Sequence, residues 1–190
     1  MQAGIRPLVP ARTGVRPCRN AGGPRALSVV DEEVAVSGQA AIIGRQPFLH
    51  RLRADQVEQL SALARHVSVP AQTRLFDEGA PARSFWLIDA GQVALDTLVP
   101  GLGRVTIEKL GRGDVVGLSW LEPPYQFRYG AITTQPMQAF EFDAAAVRAA
   151  CDADPVLGYA LLDRFLAVAA HRLQATRARL IDTYFRPRPD

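Results

Sequence analysis

This sequence predicts a mainly β fold, a barrel or jelly roll, with helices at both ends. Three observations predict it. Between about residue 73 and residue 143, short apolar or alternating runs recur, punctuated by turns that contain glycine. A helical period precedes them at 48–69, and a longer one follows them towards the C-terminus. A chain of 190 residues, 48% hydrophobic, can build one domain with a core of its own.

Composition sets the first 44 residues apart from that domain. Residues 1–30 hold Arg6, Arg12, Arg16, Arg19 and Arg25 and no acid, which is +5 in a chain of net charge +3. The remaining body is slightly acidic and so does not resemble a phosphate-binding surface. Rich in Pro and Gly and without helical or strand period, 1–44 reads as a disordered basic tail. It lacks the apolar centre of a secretory signal. An organelle transit peptide, or a start upstream of the native one, would leave the same composition. The two cysteines, Cys18 and Cys151, make neither a disulfide framework nor a metal spacing. With no apolar run near the ~18 residues that span a bilayer, a cytoplasmic protein away from membranes is expected.

The domain opens at about residue 45 with "PFLHRLRADQVEQLSALARHVSV", where Leu52, Val57, Leu60, Leu63, Ala64 and Val67 fall near one helical face. Asp55 is the expected N-cap, and Pro70 ends the helix. "TRLFDEGAPA" is then a strand entering an acidic glycine turn. "SFWLIDAGQVALDTLV" reads as strand, turn at 89–91, strand. "RVTIEKLGRGDVVG" repeats the plan with Gly111 and Gly113 at the corner, and "GAITTQPMQAFEFD" closes the series. "DAAAVRAACDADP" is a short helix stopped before Pro155.

The long helix is expected over about 156–184, ahead of a short tail at 186–190. Along it Leu162, Leu166, Ala169, Leu173, Thr176 and Leu180 alternate steps of four and three, a heptad-like seam. So narrow a seam on so long a helix predicts a homodimer through this helix, although packing on its own domain is the other use for it.

The order of helix, about eight short strands, short helix and long helix resembles the cyclic nucleotide-binding domain of the Crp/Fnr regulators and kinase regulatory subunits. The carriers are "RLFDEGAPARSFWLIDAGQVAL", with its Glu-Gly turn, and "LGRGDVVG", which resembles the Gly-Asp-aromatic-Gly opening of the family's phosphate-binding cassette. The resemblance spans about Phe48 to Tyr184. It implies an eight-stranded jelly-roll β-barrel with a long C-terminal dimerisation helix, and cyclic AMP or a related cyclic nucleotide as ligand.

The resemblance also implies a site. In the family a glutamate after the cassette glycine binds the ribose hydroxyl. An arginine eleven residues after that glycine pairs with the phosphate, helped by backbone N–H groups of a short helix. Here Gly117 takes the glycine's place and Arg128 the arginine's, with Ser119 and Tyr129 as further ligand-side positions. Leu118 stands where the glutamate belongs, Tyr129 replaces a small residue, and Pro123 and Pro124 lie within the cassette. Leucine accepts no hydrogen bond, so a ribose would lose a charge-assisted bond of ~1.5–3 kcal/mol. Trp120 and Tyr125 are expected to fill the pocket, with stacking on a planar base as the other use for such rings.

No catalytic residue and no metal site is expected. His50, His66 and His171 are far apart, and "GLSWL" breaks the nucleophile-elbow pattern at Leu121. The Fnr-type cysteine cluster is absent, and "RPRPD" follows the long helix where Crp/Fnr regulators carry a DNA-reading module, so direct DNA binding is not expected. The expectation is a non-catalytic regulatory or sensor protein that binds a cyclic nucleotide or other small anion and signals to an unknown protein partner. The alternative is a ligand-free structural or interaction module whose pocket is closed.

Overall fold

The computed structural model describes residues 28–29 and 42–185. Among the described residues nine strands run in chain order: β1 Ser28–Val29, β2 Ala64–Val69, β3 Arg74–Phe76, β4 Ser84–Ala90, β5 Val93–Val99, β6 Gly103–Leu110, β7 Val115–Val116, β8 Gly130–Thr133 and β9 Met137–Asp143. They form two antiparallel sheets, of order β1-β2-β9-β4-β7 and β3-β8-β5-β6. Phe85 and Phe140 from the first share one apolar core with Leu95 and Ala131 from the second. No strand pair joins the sheets among the described residues, so of the expected eight-stranded jelly-roll β-barrel the structure has a two-sheet sandwich and not the closure. The edge strands β3 and β7 have three and two residues, too few to zip the sheets together.

The first helix, α1, spans Ala54–Ala62 and is shorter than its apolar period suggested. Ala64 and Val67 belong instead to β2, where Val67 and Val69 alternate into the core. "HVSV" satisfies both periods, and β-branched valines opposite β9 decide for the strand. His66 is therefore a strand residue, its ring 5.2 Å from that of Phe140. Asp55 is not the N-cap. It lies inside the first turn and pairs with Arg53, while the Gln56 side chain accepts the Arg53 backbone N–H at 3.0 Å.

The boundary of the basic tail also moves. Ser28 and Val29 pair with Ser68 and Val67 at the edge of the first sheet, and Ile43 is fully buried in the core. The rest of the predicted tail, and 186–190, lie outside the described residues.

Helix α2, Ala144–Ala153, starts at Asp143, whose carboxylate accepts the Ala146 N–H at 2.7 Å. Helix α3 spans Pro155–Phe185. Its Leu157, Leu161 and Phe165 enter the core, where Phe165 meets Phe48, Phe85 and Trp120. Beyond Phe165 no residue of α3 is fully buried, so the second half of the helix leaves the core behind. Among the described residues no helix is long and apolar enough to cross a membrane.

Candidate functional site

Between the second sheet, the 117–129 segment and the middle of α3 lies a cavity of about 740 Å³. Its walls are mostly apolar, from Phe76, Leu95, Ile107, Leu118, Phe127 and Leu173. Charge enters from Glu108, Arg128 and Arg172. That mixture, an apolar hollow with few polar groups, is the usual make-up of a small-molecule site.

Gly117 opens the segment in a left-handed conformation, φ 89°. A Cβ there would meet the Phe127 ring at 3.2 Å and the Ser84 carbonyl at 3.3 Å, so glycine is needed for both shape and space. A single 3₁₀ turn, Leu118–Leu121, follows it. Leu118 is half-buried and packs against the core, with its side chain at the cavity wall. Ser119 Oγ accepts the Arg128 backbone N–H at 3.2 Å, joining the two ends of the segment. Arg128 and Tyr129 lie at the exposed lip. The Arg128 side chain is 67% exposed and stands 3.9 Å from Glu122.

Two expectations about the aromatics are corrected. Trp120 does not fill the cavity. It is buried beneath it, stacked on Phe85 at 4.7 Å and edge-on to Phe165 at 5.3 Å. Tyr125 is turned away as well, with the Arg148 guanidinium 4.5 Å over its ring. Arg148 also donates to the Trp120 carbonyl at 3.0 Å, fastening the segment to α2. Pro123 and Pro124 are exposed and plug nothing. The ring-to-ring wall comes instead from Phe76 and Phe127, stacked with centroids 3.6 Å apart.

The long helix reaches the cavity too. Ala169, Leu173 and Thr176 of the predicted seam line it, while Leu162, Leu166 and Leu180 point to solvent. Sequence reasoning passed over Arg172 and Glu108. Arg172 donates to the Val115 carbonyl and lies 3.9 Å from Glu108. Burial pushes its guanidinium pKa down, and Glu108 and Asp114 oppose that fall. A lone acid amid the alternation of "RVTIEKL" was the available signal for Glu108.

Behind β8, Arg74 grips Asp96 with two bonds, 2.5 and 2.8 Å, and Arg104 adds a third at 3.1 Å. Gly130 lets this network close, since a Cβ there would fall 2.6 Å from both Arg74 and Asp96. The network braces the strand that leads out of the segment.

Residues 66–154 match the family model described as the cyclic nucleotide-binding domain. No curated protein matches the sequence. Among solved structures, a cyclic nucleotide-binding domain from Methylobacillus flagellatus is 20% identical with a TM-score of 0.67, over 78% of this chain and 83% of that one. The catabolite activator protein of Thermus thermophilus is 20% identical with a TM-score of 0.58, over 73% and 63%. A cAMP-binding acyltransferase from Mycobacterium smegmatis is 21% identical with a TM-score of 0.60, over 74% of this chain and 42% of that one. At these identities the structures establish the shared fold alone. Over residues 66–154 this chain is therefore similar to the cyclic nucleotide-binding domain, in sequence and in fold.

Proposed function

We propose that the chain is a non-catalytic regulatory protein whose cavity binds a small anion, a cyclic nucleotide first among them. One observation carries this reading: the 117–129 segment and α3 share one cavity, which both Arg128 and Arg172 line. An anion bound there touches the loop and the long helix together, so occupancy has a direct route to the surface a partner would meet. Arg128 is free for the task, because an exposed pair at 3.9 Å holds it by only ~0–1 kcal/mol. Leu118 argues for weaker binding than an acceptor at that position would give. It is also the observation behind the alternative, a ligand-free interaction module. Calorimetry of the whole chain with cyclic AMP and cyclic GMP decides between them. Saturable heat with either supports the sensor, and none with both leaves the interaction module.

A further inference from the structure

Glu108 is held in an unusual way. Its pairing strand places Leu95 opposite Glu108 and Asp96 opposite Thr106, so Ile107 is an extra, unpaired residue. This β-bulge sets Glu108 opposite the cavity-lining Leu95, and both residues line the cavity. The Glu108 side chain is only 19% exposed, yet its partners, Arg172 at 3.9 Å and Arg179 at 3.8 Å, both stand beyond hydrogen-bond reach. Its carboxylate thus retains acceptor capacity in a largely desolvated place, where an unmet acceptor is costly. Arg172, 16% exposed, gives one bond to the Val115 carbonyl and keeps further N–H groups. Leu95, Ile107 and Leu173 supply apolar surface around the pair.

A carboxylate beside a guanidinium suits a planar edge that offers two adjacent N–H donors and then a carbonyl oxygen. Guanine has that edge. Its amino and ring N–H groups point to one side of its carbonyl. Adenine offers a single donor group beside a ring-nitrogen acceptor, which would set a lone pair against a Glu108 oxygen. Sites that bond a polar edge reject the analogue lacking it far better than apolar pockets reject a size change. We infer that Glu108 and Arg172 read a guanine-type base edge, so that the cavity takes cyclic GMP in preference to cyclic AMP. This inference rests on the reading of the cavity as a cyclic nucleotide site.

The test is calorimetry of the whole chain with cyclic GMP and with cyclic AMP, on wild type and Glu108→Gln. Wild type should bind cyclic GMP tighter by about tenfold or more, the worth of one charge-assisted bond. Glu108→Gln turns one acceptor into a donor and should bring the two affinities together. A purely structural role for Glu108 would lower thermal stability without moving that ratio. Should Glu108→Gln not fold, Arg172→Lys keeps the charge, loses the planar fork and must narrow the same ratio. Equal wild-type affinities, or a ratio that neither variant moves, overturn the base-edge role and leave the cavity reading standing. Binding of neither nucleotide overturns both.

Discussion

Arg128 is tethered by its backbone to the Ser119 hydroxyl at 3.2 Å, while its guanidinium makes only a loose contact with Glu122 at 3.9 Å. The two facts belong together. The backbone bond fixes where the arginine stands, and the weak exposed pair leaves its charge free to turn to an entering anion. A preset position with an uncommitted charge is what an anion site needs before its ligand arrives.

Leu118 is the residue to change first. Leu118→Glu should raise affinity for a cyclic nucleotide by about tenfold or more, through the acceptor it adds at the cavity wall. Arg128→Ala in that background should abolish the gain. Calorimetry reads both steps. No gain from Leu118→Glu would show that the ribose is held elsewhere, and retained binding without Arg128 would take it out of the phosphate role.

The Asp96 network predicts an acid limit to stability. Hydrogen bonds from Arg74, with its charge and that of Arg104, hold the Asp96 carboxyl below the usual carboxylate value. Stability from this source is therefore present above the unfolded value, about 3.9, and is lost as pH falls through the lower folded value. Asp96→Ala leaves Arg74 with Asp77 alone, 2.9 Å away, and should cost about 1.5–3 kcal/mol at neutral pH. It should also flatten the acid side of the stability curve. Gly130→Ala should destabilise too, because its methyl enters the Arg74–Asp96 contact. Urea unfolding between pH 3 and 7 checks all three, and an unchanged acid slope in Asp96→Ala would remove the network from the account.

Much of this was legible in the sequence, and the misses have physical causes. The turn glycines and the short apolar runs of β4 and β5 pointed to a β-barrel or jelly roll because both are local signals. "LGRGDVVG" placed the glycine corner that leads to Gly117 for the same reason. "ARHVSV" went wrong because six residues satisfy two periods at once, and pairing with β9 decided between them. Trp120 was misplaced because its burial depends on Phe85 and Phe165, which are 35 residues before it and 45 after it in the chain. Glu108 was overlooked since the bulge that faces it inward exists only once β6 is paired to β5. Closure of the sheets, likewise, is a property of no single segment.

The start of the domain can be located by truncation. Ile43 is fully buried within the core cluster, three residues before the equally hidden Gln46. A chain beginning at Ala41 keeps Ile43 and loses the two-residue β1, so it should unfold near the full-length midpoint. Ile43→Ala should cost about 2–5 kcal/mol. A midpoint that drops by more than a few degrees in the chain from Ala41 would show that the preceding residues contribute more than β1. No change in Ile43→Ala would place the true boundary later.

The last prediction is a parallel homodimer through α3. The core takes Leu157, Leu161 and Phe165 from one face of this helix, and the neighbouring face is left with Leu162 58% exposed and Leu166 65% exposed. Leu173 and Leu180 continue that exposed line beyond the core, more than half uncovered. Apolar surface left in water forfeits ~25 cal/mol per Å² of burial, and a second copy of the same helix would cover it in register. Ala169 and Thr176, exposed at the edge of the cavity beside that line, are small enough to let two helices approach closely. Leu162→Glu with Leu166→Glu places four carboxylates in that interface and leaves the cavity-lining Leu173 untouched. Sedimentation should then show a folded monomer where wild type shows a dimer. A wild type that sediments as a monomer at micromolar concentration would mean that this face meets a different partner, and the dimer would be withdrawn.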